Sequence, residues 1–212
     1  MIRIMIVDDQ ELVRVGLQRI LGDYPALKVV AEATNGEAAL RLCRKVKPHV
    51  VLLDINLPGL SGFEITARLT QSLSGPKVII LTSHMQSPFP KLLMEAGAAG
   101  YLTKGCPARE LIQAVKTVAG GGRHIGAEIA QRFALEMMPG AETSPFDGLS
   151  RREMEVLLSL AEGKSLTEIA GLMSLSPKTV ATYKYRIYDK LNTRNDVDMT
   201  RMAMRYGVVA LA

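Results

Sequence analysis

The sequence predicts an α/β doubly wound domain on a five-stranded parallel sheet, followed by an all-α four-helix domain that contains a helix-turn-helix. Two observations carry this. Over the first 120 residues, short apolar runs alternate five times with stretches of helical apolar spacing, the pattern of successive βαβ units. Beyond residue 146 the strand-like runs stop, and helix-start patterns recur at Ser150, Ser165, Ser176 and Asn195. A chain of 212 residues is long enough for two small cores.

Ile2 to Val7 is the first strand, and Glu11 to Leu21 places Leu12, Val15, Leu17, Ile20 and Leu21 at helical spacing. Lys28 to Ala33 is the second strand, and Thr34-Asn35-Gly36-Glu37 is a capping-box pattern opening the next helix. The run VVLL at 50–53 lies between Pro48 and a Pro/Gly loop, as expected of a strand buried on both faces. A third helix spans Gly62 to about Gln71 and a fourth strand Lys77 to Leu81. A helix around Lys91 to Ala96 is stopped by Gly97, a short strand covers Gly100 to Leu102, and the last helix begins with Pro107 and ends at Gly120-Gly121-Gly122.

Residues 1–120 therefore read as one domain, 121–146 as a short helix (Ala127 to Glu136) and a linker ending in MPGAETSPF, and 147–212 as the helical domain. There Ser150-x-x-Glu153 and Ser165-x-x-Glu168 are capping boxes, Ser176-Pro177 supplies a cap with proline in the first turn, and Asn195 opens a helix closed by Gly207. Two helices, Ser165 to Met173 and Ser176 to Leu191, separated by a short turn, make a helix-turn-helix.

Composition narrows the class. The chain is 48% hydrophobic and has no apolar run of 18 residues, so a membrane span is not expected. MIRIMIVDDQ is too short in apolar residues and too acidic for a signal peptide, which points to the cytoplasm. Cys43 and Cys106, far apart and outside any metal-ligand spacing, read as structural thiols. The net charge is +4 over residues 1–120, −2 over 121–149 and +3 over 150–212, so overall charge does not single out a nucleic-acid-binding part. Local density does better: Ser176 to Leu191 carries Lys178, Lys184, Arg186 and Lys190 against Asp189 alone.

In doubly wound sheets the site lies beyond the carboxyl ends of the strands. Those ends carry Asp8 and Asp9, Asp54, Thr82 and Lys104. Three neighbouring carboxylates repel one another unless cations sit among them. Lys104 supplies one charge, and a divalent ion with hard-oxygen preference, Mg2+, suits the remainder. An aspartate in such a place can attack phosphorus, with Mg2+ and Lys104 neutralising the equatorial oxygens and the Thr82 hydroxyl donating to one of them.

The series DD, LLDINLPGLSG, ILTS and YLTKG resembles the receiver domain of two-component response regulators over residues 1 to about 120. The resemblance implies a strand order 2-1-3-4-5 and Asp54 as phosphoacceptor. It assigns Asp8, Asp9, Asp54 and the Asn56 backbone carbonyl to Mg2+, Thr82 and Lys104 to the phosphoryl group, and Tyr101 to the aromatic switch position. Asn56 and His84 fall where receivers tune their self-dephosphorylation. The second domain, with LSRREMEVL and SPKTVATYKYRIYDKL, is similar to the output domain of the NarL/FixJ (LuxR-type) family, and SPFDGLSRRE with LMEAGAAGYLTKG narrows the resemblance to the GacA/UvrY group.

A helix with positive residues on one side and Val180, Ile187 and Leu191 on the other suits a major groove. Lys178, Thr179, Tyr183, Lys184, Arg186 and Lys190 are expected on phosphates. By family position Ala181, Thr182 and Tyr185 read bases, although Ala181 has no hydrogen-bonding group; Tyr188 is expected in the core. The resemblance implies a sensor histidine kinase as phosphodonor, double-stranded promoter DNA as target, homodimerisation on phosphorylation and small regulatory RNA genes as the regulated set. Two rivals remain. One is an aspartate-nucleophile phosphatase or phosphotransferase, against which Asn56 stands where such enzymes need an acid. The other is a module that binds only protein.

Overall fold

The computed structural model describes residues 1–71, 75–83, 88–136, 138 and 144–209. The chain divides into two compact units, Met1–Met85 with Leu93–Pro139, and Gln86–Leu92 with Gly140–Ala212. In chain order the elements up to residue 136 are β1 (Ile2–Val7), α1 (Glu11–Gly22), β2 (Leu27–Ala33), α2 (Gly36–Val46), β3 (Val50–Leu53), α3 (Gly62–Thr70), β4 (Lys77–Thr82), α4 (Phe89–Glu95), β5 (Gly100–Thr103), α5 (Ala108–Ala119), β6 (His124–Ile125) and α6 (Ala127–Glu136). A 3₁₀ turn (Pro145–Gly148) then leads to α7 (Arg151–Ala161), α8 (Leu166–Met173), α9 (Pro177–Leu191) and α10 (Asp196–Arg205).

The strands form one parallel sheet in the order β2-β1-β3-β4-β5-β6. Through β5 this is the expected order, and the sixth strand corrects the expected count of five. Past the glycine run the chain returns beside β5, where the His124 N–H donates to the Ala99 carbonyl (3.0 Å) and the Gly126 N–H to the Tyr101 carbonyl (2.8 Å). These bonds use edge groups of β5 that otherwise need water. A two-residue strand has no period to read.

All four residues of β3 are buried. Its neighbours fix where it ends: Val7 pairs with Leu53, and the Asp54 N–H continues the ladder onto the Val7 carbonyl at 2.9 Å. In the same way the Asp8 N–H reaches Ala33 O (3.1 Å) and the Lys104 N–H reaches Thr82 O (2.8 Å). Ladder bonds running one residue past β1, β3 and β5 bring Asp8, Asp54 and Lys104 to one rim. The loop after Asp54 depends on two glycines. Gly59 has φ of 90°, and a Cβ at Gly62 would meet the Ile55 Cα at 2.7 Å, so only glycine lets α3 start this close under the loop.

Three helix starts differ from expectation. At α2 the cap is Asn35, whose side-chain oxygen accepts from the Ala38 N–H at 2.9 Å, so the helix opens one residue later than a box on Thr34 would place it. Pro107 has ψ of 143° and is the N-cap of α5, so that helix begins at Ala108. The end of the expected linker is folded: Ser144 and Asp147 form a capping box around the 3₁₀ turn, and Phe146 is fully buried with its ring edge-on to Tyr206. Residues 139–143 of that linker lie outside the described residues.

In the second unit Val156, Leu157, Ile169, Val180, Ile187 and Met199 are fully buried. Capping boxes at Ser150 and Ser165 start α7 and α8 as expected, Ser176 caps α9 with Pro177 in its first turn, and Asn195 caps α10. Ser174, in the left-handed region (φ 55°), closes α8 and turns the chain toward α9. Among the described residues no helix is long and apolar enough to cross a membrane.

Candidate functional site

Asp8 and Asp54 are almost wholly buried, and the Lys104 ammonium lies between them, 2.8 Å from Asp8 Oδ2 and 2.7 Å from Asp54 Oδ2. Their other oxygens accept from backbone: Asp8 Oδ1 from the Gln10 N–H (2.9 Å) and Asp54 Oδ1 from the Asn56 N–H (3.3 Å). Asp9 is exposed, yet one carboxylate oxygen each from Asp8, Asp9 and Asp54 lie within 4.8 Å of one another. Burial disfavours the Lys104 charge, but hydrogen bonds to Asp54 and Asp8 and their fields outweigh it and hold the ammonium above its ordinary pKa. Lys104 is thus a fixed cation throughout the physiological range.

Three carboxylates against one ammonium leave excess negative charge in a partly buried place. The donor set, all hard oxygens with one acid open to solvent, fits a small divalent cation that keeps part of its water shell. Arg14 stiffens the loop carrying these acids, its Nη1 donating to the Asp8 and Asp9 carbonyls at 3.0 and 3.1 Å. Nothing in the sequence pattern marked Arg14, because its partners are the two backbone oxygens and Glu32, 18 residues away on β2.

Thr82 ends β4 fully buried, and Tyr101 in the neighbouring β5 is also fully buried. Burial, with the Asp54 charge as a second cause, pushes the Tyr101 phenol far above its usual range, so it stays a neutral donor. Asn56 follows Asp54 in the loop, with its N–H on the Asp54 carboxylate. His84 lies outside the described residues.

Of the residues expected on DNA, Lys178, Thr182, Tyr185, Arg186 and Lys190 are exposed on α9, with Tyr185 the most exposed aromatic side chain there (65%). Thr179, Ala181 and Tyr183 are half-buried. The Thr182 hydroxyl donates back to the Lys178 carbonyl at 3.0 Å, leaving its lone pairs facing out. Two lysines are paired with acids of the same domain. Lys184 Nζ is 2.6 Å from Asp196 Oδ2, and Lys190 Nζ is 2.7 Å from Glu153 Oε2 and 3.0 Å from the Gly148 carbonyl. Tyr188 is half-buried and not core: its hydroxyl donates to Asp196 Oδ1 at 2.6 Å and its ring sits edge-on to Tyr185.

Asp196 and Glu153 are the partners that sequence reading missed, because each meets its lysine from another helix. Burial disfavours the Glu153 charge, but Lys190 and the Ser150 cap outweigh it and hold the carboxyl below its ordinary value. A carboxyl depressed on folding adds stability that is fully present above its unfolded pKa, about 4.3, and is lost as pH falls through the lower folded value. Glu153→Gln is therefore expected to flatten the acid limb of the second unit's thermal stability while costing stability at pH 7, as read by melting curves between pH 3 and 7.

With this geometry in place, the comparisons are direct. Residues 4–116 match the family described as response regulator receiver domain, and residues 147–203 match bacterial regulatory proteins of the luxR family. The chain belongs to the response regulators. It is 44% identical to response regulator UvrY of Escherichia coli (strain K12) over 209 residues, covering 98% of this chain and 96% of that one. It is 45% identical to response regulator GacA of Pseudomonas aeruginosa over 213 residues, covering all of both. Among solved structures, ChrA of a heme-sensing two-component system is 32% identical, with TM-score 0.56 and 98% of each chain covered. RcsB from Salmonella enterica serovar Typhimurium, solved on a promoter with the phosphomimetic BeF3⁻, shares the fold at 22% identity, with TM-score 0.78 and 95% and 98% coverage. This response regulator thus carries a receiver domain with an acidic cluster at its sheet rim and a luxR-type helical domain.

Proposed function

We propose that this response regulator is a cytoplasmic, phosphorylation-controlled transcription regulator in which residues 1–120 receive a phosphoryl group, 121–146 connect, and 147–212 bind promoter DNA. The single observation that carries this reading is Asp54, buried at the end of a central strand and hydrogen-bonded to Lys104. An Asp54 carboxylate oxygen attacks the phosphorus of the donor, a phosphohistidine on a sensor kinase or a small acyl phosphate. The P–O bond to Asp54 forms as the bond to the leaving group breaks, with the electron pair departing on that group. Lys104 then moves from the Asp54 carboxylate to a phosphoryl oxygen, and the Thr82 hydroxyl donates to another. Asp8, Asp9, Asp54 and the Asn56 carbonyl would hold Mg2+, which would supply charge neutralisation at the phosphoryl oxygens.

Thr82, the last residue of β4, and Tyr101, which pairs with Ile80 on the adjacent β5, are both fully buried and form the switch: movement of one changes the packing open to the other. The consequence in this reading is homodimerisation and tighter binding to paired half-sites in promoters, with small regulatory RNA genes as targets, as for the GacA/UvrY group. Footprinting of genomic DNA fragments with and without acetyl phosphate tests the function. Protection that depends on the donor is expected. Absence of any protection at low salt would make the helix-turn-helix a protein-binding module, and multiple turnover on a small phosphoester would make the receiver an enzyme.

On α9 the outward-facing side chains are proposed to do the contacting: Lys178, Thr179, Tyr183 and Arg186 on phosphates, with Ala181, Thr182 and Tyr185 facing bases. Lys184 and Lys190, held by Asp196 and Glu153, mainly brace the domain. Arg186→Ala is expected to weaken binding to all sequences alike and reduce the salt slope by about one. Lys190→Ala is expected to leave the slope unchanged and cost about 1 kcal/mol of stability, a modest figure because this lysine is partly solvated. Binding titrations at several salt concentrations, paired with melting curves, separate the two roles.

A further inference from the structure

The receiver carries a second concave site at the opposite edge of its sheet. A groove of about 930 Å³ lies between α2 and α3, beside the turns that enter β3 and β4. Leu40, Cys43 and Leu69 give it an apolar floor, and Arg44, Lys47, His49 and Arg68 surround it with basic groups. No carboxylate belongs to its lining among the described residues.

Several details favour an anion there. The Arg3 guanidinium donates to the Val46 carbonyl, which offsets the negative end of α2 that would otherwise repel one. His49 accepts from the Arg3 N–H on Nδ1 (3.1 Å), leaving Nε2 as the donor. Lys47 closes α2 in the left-handed region (φ 44°), where glycine or asparagine is the easier choice, and so holds a strained backbone that places a cation at the groove. Among the described residues Arg68 bonds Glu64 through Nη2, and its other guanidinium nitrogens remain a donor set.

We propose that this groove binds a small organic polyphosphate of nucleotide size, with phosphates on Arg44, Lys47, His49 and Arg68 and the organic part over Leu40 and Leu69. Planar guanidinium groups bind phosphate bidentately, and the volume is that of a small-ligand site. An extended acidic peptide fits less well, because β3 and β4 each have a strand on both sides and offer no free edge for it to join.

The test is calorimetric titration of the full chain with ATP in EDTA, which removes divalent ions from the acidic rim. Saturable one-to-one binding is expected, weakened at least about tenfold, the equivalent of one lost charge-assisted contact, in the double variant Arg44→Gln/Lys47→Gln. Melting curves verify that the variant is folded; both side chains are exposed. No saturable binding, undiminished binding by the double variant, or loss in Arg186→Gln instead would overturn the site. Displacement of ATP by polyglutamate at equal charge would mean an acidic-protein surface and would also overturn it.

Discussion

Asp54→Ala is expected to lose all acid-labile labelling from a small phosphodonor such as acetyl phosphate. The reason lies in what each acid of the rim is bonded to. Asp54 and Asp8 both touch Lys104, but Asp8 has its second oxygen tied to the Gln10 N–H at 2.9 Å, whereas among the described residues the second oxygen of Asp54 has the longer 3.3 Å contact to Asn56. Asp9 is exposed and, among the described residues, pairs with no lysine. Asp54 is thus the acid with a cation beside it and an oxygen nearest to free. Acid-labile label, measured on intact protein by mass spectrometry, should fall to background in the variant, while undiminished label would move the phosphoacceptor to Asp8 or Asp9.

Lys104→Met has the second large effect. It removes the one ammonium bonded to two buried carboxylates and leaves three acids facing one another. Breaking one partner of a buried ion pair typically costs about 3 to 5 kcal/mol, and the low end applies here because Asp9 opens the rim to water. Adding Mg2+ should recover part of it by binding only the folded chain. Urea denaturation at pH 7, with and without Mg2+, measures both. Wild-type stability of the variant at pH 7 would mean that the acids do not strain the fold.

The receiver was legible because its signals are local or periodic. Apolar runs between Pro and Gly punctuation locate the first five strands, and the strand-end rule points to Asp8, Asp9, Asp54, Thr82 and Lys104. What stayed hidden shares one physical character: it depends on groups distant in sequence or on too few residues to show a period. The strand His124–Ile125 is two residues of edge pairing. Lys184 and Lys190 read as free cations because Asp196 and Glu153 lie 12 and 37 residues away. Tyr188 read as core from its place on α9, yet Asp196 supplies a polar partner for its hydroxyl and keeps it near the surface. The choice of Asn35 over Thr34 as cap is a one-residue difference that the box pattern alone does not resolve.

The central claim is that phosphorylation at Asp54 governs DNA binding by α9. Genome-wide recovery of DNA fragments by the purified full-length chain, with and without acetyl phosphate and alongside Asp54→Ala, tests it most directly. The account predicts a discrete set of sites enriched with the phosphodonor and absent from the variant. The same sites recovered at equal strength with and without the donor, or by Asp54→Ala with the donor present, would contradict it.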